Sequence, residues 1–402
     1  MPDPSENPVL PTPPNEGVRV RVRRLLDGVW LDRPGVSLAW RAVLVDKTGE
    51  RVHLAVAMAC CVALSCPVSI MEIGVVAAAA VTVLRFGATW RLAAWAVLHP
   101  IVVGLVVWAV WQLLALAWSA DPRTGLEDAG ALRFALLLVG LWPLAHRRGW
   151  LLGAYLLGFV AGHLTQVGQM LGWDGIVLEV RGAVSDDRAA GWWGPVAGGT
   201  LLCAPLGMHL WACVHGTGRW RILAAGGATV TLGAIIATGT RGAWLAAAGL
   251  LVLAALLGLR RGRFGVRGVA VAIACGAVAV GGVYVAVGDR IEARVRDARL
   301  ELAAADAGRM ESNIGARLVM WETAWRAFVS SPIGGVGSGG FQAWGRADVK
   351  ERSPEISPEV ILAHAHGTAV HVAATGGVLG LMSLGLLVGV MLWWAGKPDP
   401  AA

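Results

Sequence analysis

Charge is what this sequence has little of. Of its 402 residues 15% are charged and 56% are hydrophobic, against roughly 25% charged in an average soluble domain. That balance excludes an ordinary soluble enzyme. Cysteine is confined to apolar stretches, at Cys60, Cys61, Cys66, Cys203, Cys213 and Cys275. These read as small buried hydrophobes, and a structural disulfide in an exposed loop is not expected. The N-terminus is Pro-rich and polar, then basic at Arg19, Arg21, Arg23 and Arg24. It lacks an apolar h-region followed by a cleavage site, so no cleaved signal peptide is expected. No internal repeat is evident. The net charge of +7 is no argument for nucleic acid. Most arginines stand in short segments between apolar runs, where the positive-inside tendency already accounts for them, and no nucleic-acid partner is expected.

What is abundant is small and apolar. The 54 glycines, with many alanines, suit helices packed closely in lipid. Several of the 20 tryptophans (Trp90, Trp95, Trp118, Trp220, Trp393, Trp394) stand near the ends of apolar runs, as in an interfacial belt next to membrane lipids. A membrane helix needs about 17–25 mostly apolar residues. The runs that qualify, or nearly do, are His53–Pro67, Ser69–Leu84, Val97–Ser119, Leu132–Ala145, Trp150–Leu171, Val196–Val214, Trp220–Thr238, Ala243–Leu259, Val269–Val287 and Thr368–Trp394. The last opens with a broken or interfacial turn. The fold class expected is therefore an all-α polytopic membrane protein of about ten transmembrane helices.

Loop charge orients these spans. With the N-terminus inside, the inner loops carry Arg85, Arg91, Arg147, Arg148, Arg219, Arg221, Arg260, Arg261, Arg263 and Arg267. The outer loops carry Asp121, Glu127, Asp128, Asp174, Glu179, Asp186 and Asp187. Every short loop obeys the bias. The chain then divides into a cytoplasmic basic segment 1–52, transmembrane helices one to nine over 53–287, an outer (periplasmic) helical loop 288–367, the last transmembrane helix 368–395 and a cytoplasmic tail 396–402. In the outer loop, Asp289–Met310 reads as a surface helix. Ile314, Leu318, Trp321, Trp325 and Phe328, three or four apart, read as the apolar face of an amphipathic helix. Ser331–Phe341, rich in glycine, reads as a flexible turn; it lacks the Lys-Ser/Thr ending of a P-loop.

Three polar segments are not explained by lipid, and all fall on the outer side: Asp186–Pro195, Thr238–Trp244 and His364–His371. Ionisable groups at a membrane edge are costly and mark function. Arginines hold phosphate oxygens through bidentate, charge-assisted bonds, and a histidine accepts a proton from an attacking hydroxyl near neutral pH. Arg188, Arg241 and a histidine together suit sugar transfer from a lipid diphosphate, the arginines steadying the departing anion. Simpler readings stand beside these: a helix-end anchor for Arg241, an ion pair with Asp186 or Asp187 for Arg188. His364, His366 and His371 have metal-like spacing, but no neighbouring cysteine or carboxylate in the sequence completes a zinc set, and neither metal nor cofactor is expected. A secondary transporter of an anionic solute would show related halves and helices broken near the bilayer midplane, and neither is evident.

From about His53 to Trp394 the chain resembles the O-antigen ligase and polymerase superfamily. The resemblance rests on Trp118-Ser119-Ala120-Asp121-Pro122, Arg188, Thr240-Arg241-Gly242-Ala243-Trp244-Leu245, Arg317 with Trp321, Pro332-Ile333-Gly334-Gly335-Val336-Gly337, and His366 with Gly377-Val378-Leu379-Gly380. It implies a GT-C-like fold in the bacterial inner membrane. It also implies an inverting, metal-independent glycosyl transfer facing the periplasm. The donor would be O-antigen on undecaprenyl diphosphate, and the acceptor lipid A-core for a ligase or a lipid-linked glycan for a polymerase. The compact loop, the basic N-terminus and the His-x-His ending resemble ligases. The resemblance makes His366 the catalytic base and Arg188 and Arg241 diphosphate ligands, with Arg181 as the alternative to Arg188. Arg317, His364 and Trp192 become further substrate-binding candidates. Relatives often carry Asn, Ser or Gln after the histidine; here Gly367 follows.

Overall fold

The computed structural model describes residues 46–173, 188–260 and 312–395, and scattered positions between 281 and 310. Among them there are helices and no strand. The helices are α1 (Lys47–Ala63), α2 (Val68–Leu84), α3 (Phe86–Val97), α4 (Pro100–Leu114), α5 (Pro122–Ala129), α6 (Leu136–Leu141), α7 (Arg148–Met170), α8 (Pro195–His215), α9 (Gly218–Ala237), α10 (Arg241–Arg260), α11 (Asn313–Ser330), α12 (Phe341–Arg352) and α13 (Thr368–Ala395). Residues 295–306 are helical as well.

Six stretches among the described residues are long and apolar enough to cross a membrane: Pro100–Trp118, Trp142–Met170, Pro195–His215, Gly218–Ala237, Arg241–Arg260 and Thr368–Trp394. Val68–Leu84 is apolar but shorter. The chain is an all-α polytopic membrane protein. The expected run Leu132–Ala145 is not one continuous helix: it is split into 3-10 turns around the six-residue α6, and its end feeds into the stretch containing α7. Pro143 contributes to this break, since it has no N–H to give. The helix expected over His53–Pro67 begins earlier, at Lys47, where the Asp46 carboxylate accepts a hydrogen bond from Gly49 N at 2.8 Å. Most of Val269–Val287 lies outside the described residues.

The helix starts follow local chemistry. Pro100 and Pro195 occupy the first turns of α4 and α8, where a missing N–H costs nothing. α8 packs on α9 and α10, α1 on α2 and α7, and α13 on α4 and α11. Leu245 (77% exposed) and Ile222 (75%) face outward. Such surface is suited to hydrocarbon, where no other partner is needed.

Two expectations about the outer loop are sharpened or corrected. On α11 the stripe that meets the core is Val319, Met320, Thr323, Ala324 and Ala327. Leu318, Trp321 and Trp325, read from the sequence as the apolar face of the helix, are exposed. Periodicity identified a stripe but not what it faces. The glycine-rich run is not a loose turn. α13 breaks at Gly377 (φ 60°), and the run pairs with the break. Val336 N and Gly337 N donate to the carbonyls of Ala374 and Thr375 at 2.9 and 3.0 Å, while Val378 N donates to Pro332 O at 2.8 Å. A broken helix leaves backbone groups that must be paired, and here the run supplies the partners. Gly337 has φ 90°, and a Cβ there would lie 2.5 Å from Ser119 Cα, so the approach needs glycine. Ser338 N also donates to Ala115 O at 3.2 Å, tying the run to the end of α4.

Candidate active site

The packing leaves a cavity of about 950 Å³ whose walls include Arg188, Arg241, Arg317, His364, His366, His371 and Asp128. Segments far apart in sequence therefore meet at one site, large enough for a substantial ligand.

Arg188 is placed by polar side chains from a membrane helix. Gln169 on α7 donates through Nε2 to Arg188 O at 3.1 Å, and its Oε1 accepts from Ala190 N and Gly191 N at 2.9 and 2.8 Å. Gln166, 3% exposed, donates to Ala189 O at 3.0 Å. Thr165 Oγ1 accepts from Trp192 N at 3.1 Å. Polar groups buried in a span are costly unless paired, and these three are paired with the backbone that carries Arg188. The guanidinium is then oriented by the turn between α9 and α10. Its Nε donates to Thr238 O and its Nη2 to Thr240 Oγ1, both at 2.8 Å. The Thr240 hydroxyl in turn donates to Pro195 O at 2.8 Å.

Arg241 opens α10. A cation at the positive end of a helix dipole is unfavourable without a nearby anion. Glu301 Oε2 supplies one, 3.4 Å from Nη2. The combination of a guanidinium and exposed helix N–H groups is suited to bind an anionic ligand. Arg317, on α11, is exposed at the cavity wall.

His366 has φ 51°, and it is the one non-glycine residue with positive φ among those described. Such backbone is costly and persists where surroundings hold it; here buried Ala365 precedes it and α13 begins at Thr368. Burial lowers the His366 pKa from its ordinary value, and the neighbouring Arg317 and then His364 lower it further. The imidazole is accordingly neutral and able to accept a proton at neutral pH.

His364 lies beside Asp128, with Nε2 3.7 Å from Oδ1, and packs edge-on against His371 at 4.9 Å between ring centroids. Sequence reading missed Asp128 as a cavity residue; the signal available was only that loop charge assigns it to the same side as the histidines. No group of three His, Cys, Asp or Glu side chains among the described residues is arranged to hold a metal ion.

Trp192 is not among the residues that line the cavity; it packs with Trp193 against the cluster of Phe159, Leu202 and Ile235. Arg181, Asp186 and Asp187 lie outside the described residues.

Residues 226–385 match the family model described as O-antigen ligase. No curated protein matches the chain. The family match supports the O-antigen ligase superfamily and, broadly, an O-antigen ligase or polymerase type of function on lipid-linked glycans. With the six apolar helices it indicates a bacterial membrane protein. The matched segment contains Arg241, Arg317, His364 and His366, whereas Arg188 and Asp128 precede it.

Proposed function

We propose that this membrane protein of the O-antigen ligase superfamily is a ligase of the bacterial inner membrane. It would transfer O-antigen from undecaprenyl diphosphate to a sugar hydroxyl of lipid A-core at the periplasmic face. The observation that carries the reading is the single cavity lined by Arg188, Arg241 and His366.

In the reaction proposed, the donor's diphosphate lies against Arg188 and Arg241, and the acceptor hydroxyl lies near His366. Neutral His366 removes the hydroxyl proton as the oxygen attacks the anomeric carbon. The bond from that carbon to the diphosphate oxygen breaks, and the electron pair leaves with the diphosphate. Attack opposite the leaving group inverts the anomeric centre. The arginines match the charge that grows on the leaving oxygen, where preorganised cations contribute most. No metal or cofactor is required by these steps. Burial first, and then the positive charge of Arg317, lowers the His366 pKa and so favours the unprotonated base before attack.

Ligase and polymerase differ in the acceptor. Purified protein in proteoliposomes, given labelled lipid-linked donor with rough lipopolysaccharide and lipid-linked glycan together, should move label onto the lipopolysaccharide. Label only in longer lipid-linked chains would replace the ligase reading with the polymerase one.

A further inference from the structure

We propose that Asp128 and His364 form the acceptor-side wall of the cavity, with Asp128 as a positioning residue for His364 and His364 receiving an acceptor hydroxyl. The inference rests on the glycosyl-transfer reading above.

The charge lining the cavity is unequal in sign. Three guanidiniums line the cavity, and Asp128 is its one carboxylate among the described lining residues. A diphosphate is attracted to the first and repelled by the second. A hydroxyl-rich sugar is neutral, so a carboxylate wall does not exclude it, and carboxylates and imidazoles both accept hydrogen bonds from hydroxyls.

The pair is held in place from several directions. Asp121 caps α5, accepting from Thr124 N at 3.1 Å and from the Thr124 hydroxyl at 2.7 Å. Gly125 then lies against the glycine-rich run so closely that a Cβ would sit 2.2 Å from Ser338 O. Asp128 is three residues further on, which puts it on the same side of the helix. Beside Asp128, the His364 ring is held edge-on by His371, whose Nδ1 lies 3.5 Å from Ala365 N and accepts from it. The Asp128 carboxylate lies 3.7 Å from His364 Nε2 and attracts that edge of the ring, leaving the opposite edge to face a hydroxyl. Asp128 thereby biases how the His364 ring is turned in the cavity wall.

The test uses the full chain in proteoliposomes, with lipid-linked donor and rough lipopolysaccharide varied separately. Asp128→Asn and His364→Gln should each raise KM for the acceptor about 10- to 100-fold, as expected for loss of a charge-assisted contact. Donor KM should stay within about threefold. Asp128→Glu should recover part of the loss. Direct binding of rough lipopolysaccharide, with no donor present, should weaken in parallel. An Asp128→Asn protein within about twofold of wild type on both substrates overturns the pair while leaving the transfer reading intact. Equal losses on donor and acceptor, or a Glu variant no better than Asn, would reduce Asp128 to a structural residue and also overturn it. Wild-type protein that neither transfers glycan nor binds the acceptor removes the transfer reading and this inference together.

Discussion

At the scale of single residues the proposed chemistry depends on how His366 is kept neutral. Its pKa is lowered, so the base form is lost only as pH falls through a value below the ordinary 6.5. Transfer should therefore fall on the acid side of that value and stay flat through neutrality. Removing the positive charge of Arg317 removes one of the lowering causes. Arg317→Ala should move the acid limb of the kcat/KM profile toward higher pH. A limb that stays in place would show that Arg317 does not act on the base. Gly367, where relatives often carry Asn, Ser or Gln, is not forced to be glycine. A Cβ there would meet Trp321 and Val370 at 3.6 Å, ordinary contact distance. Gly367→Ser should fold normally and keep activity within about threefold of wild type, measured in the same transfer assay.

At the scale of elements, two supports hold the site. The first is the polar edge of α7. Gln169 meets the carbonyl of Arg188 and the N–H groups of Ala190 and Gly191, so Gln169→Leu should leave buried backbone unpaired, at a cost of about 1–3 kcal/mol. It should also misplace Arg188. The expected readouts are a lower Tm in detergent and weaker donor binding; unchanged donor binding would show that Arg188 needs no such support. The second is the glycine-rich run across the break in α13. Gly337→Ala meets both a φ of 90° and the Ser119 backbone, and should destabilise by at least about 1–3 kcal/mol.

These two supports also mark where the sequence was legible. The long apolar runs around α4, α7, α8, α9, α10 and α13 were plain because lipid demands about 20 apolar residues in succession. Arg241 and the segment His364–His371 stood out because charge at a membrane edge is unusual, and the family resemblance then pointed to His366 within that segment. The α11 stripe was found but not what it faces, since Leu318, Trp321 and Trp325 carry the same spacing whether they face a core or an exposed apolar surface. Glycine content in Ser331–Gly340 could not distinguish a loose segment from a packed one; the difference lies in backbone partners on α4 and α13. Asp128 was invisible as a site residue because its meeting with His364 depends on tertiary packing alone. Trp192 sat next to the Arg188 segment in sequence, and that proximity said nothing of its packing against Trp193.

At the scale of the whole molecule, membrane helices and outer loop together form one cavity. Arg188 comes from the segment before α8, Arg241 from the α9–α10 turn, Arg317 from α11 and His366 from the approach to α13. The proposed topology puts all four on the periplasmic side. The central claim is a division of labour within that cavity, cations holding the donor diphosphate and a histidine removing the acceptor proton. The most direct measurement compares donor binding and glycan transfer in reconstituted wild type, Arg241→Ala and His366→Ala. The expected result for His366→Ala is transfer reduced about 10²- to 10⁴-fold, with donor binding preserved. For Arg241→Ala it is weakened donor binding. Full glycan transfer by His366→Ala would contradict the claim.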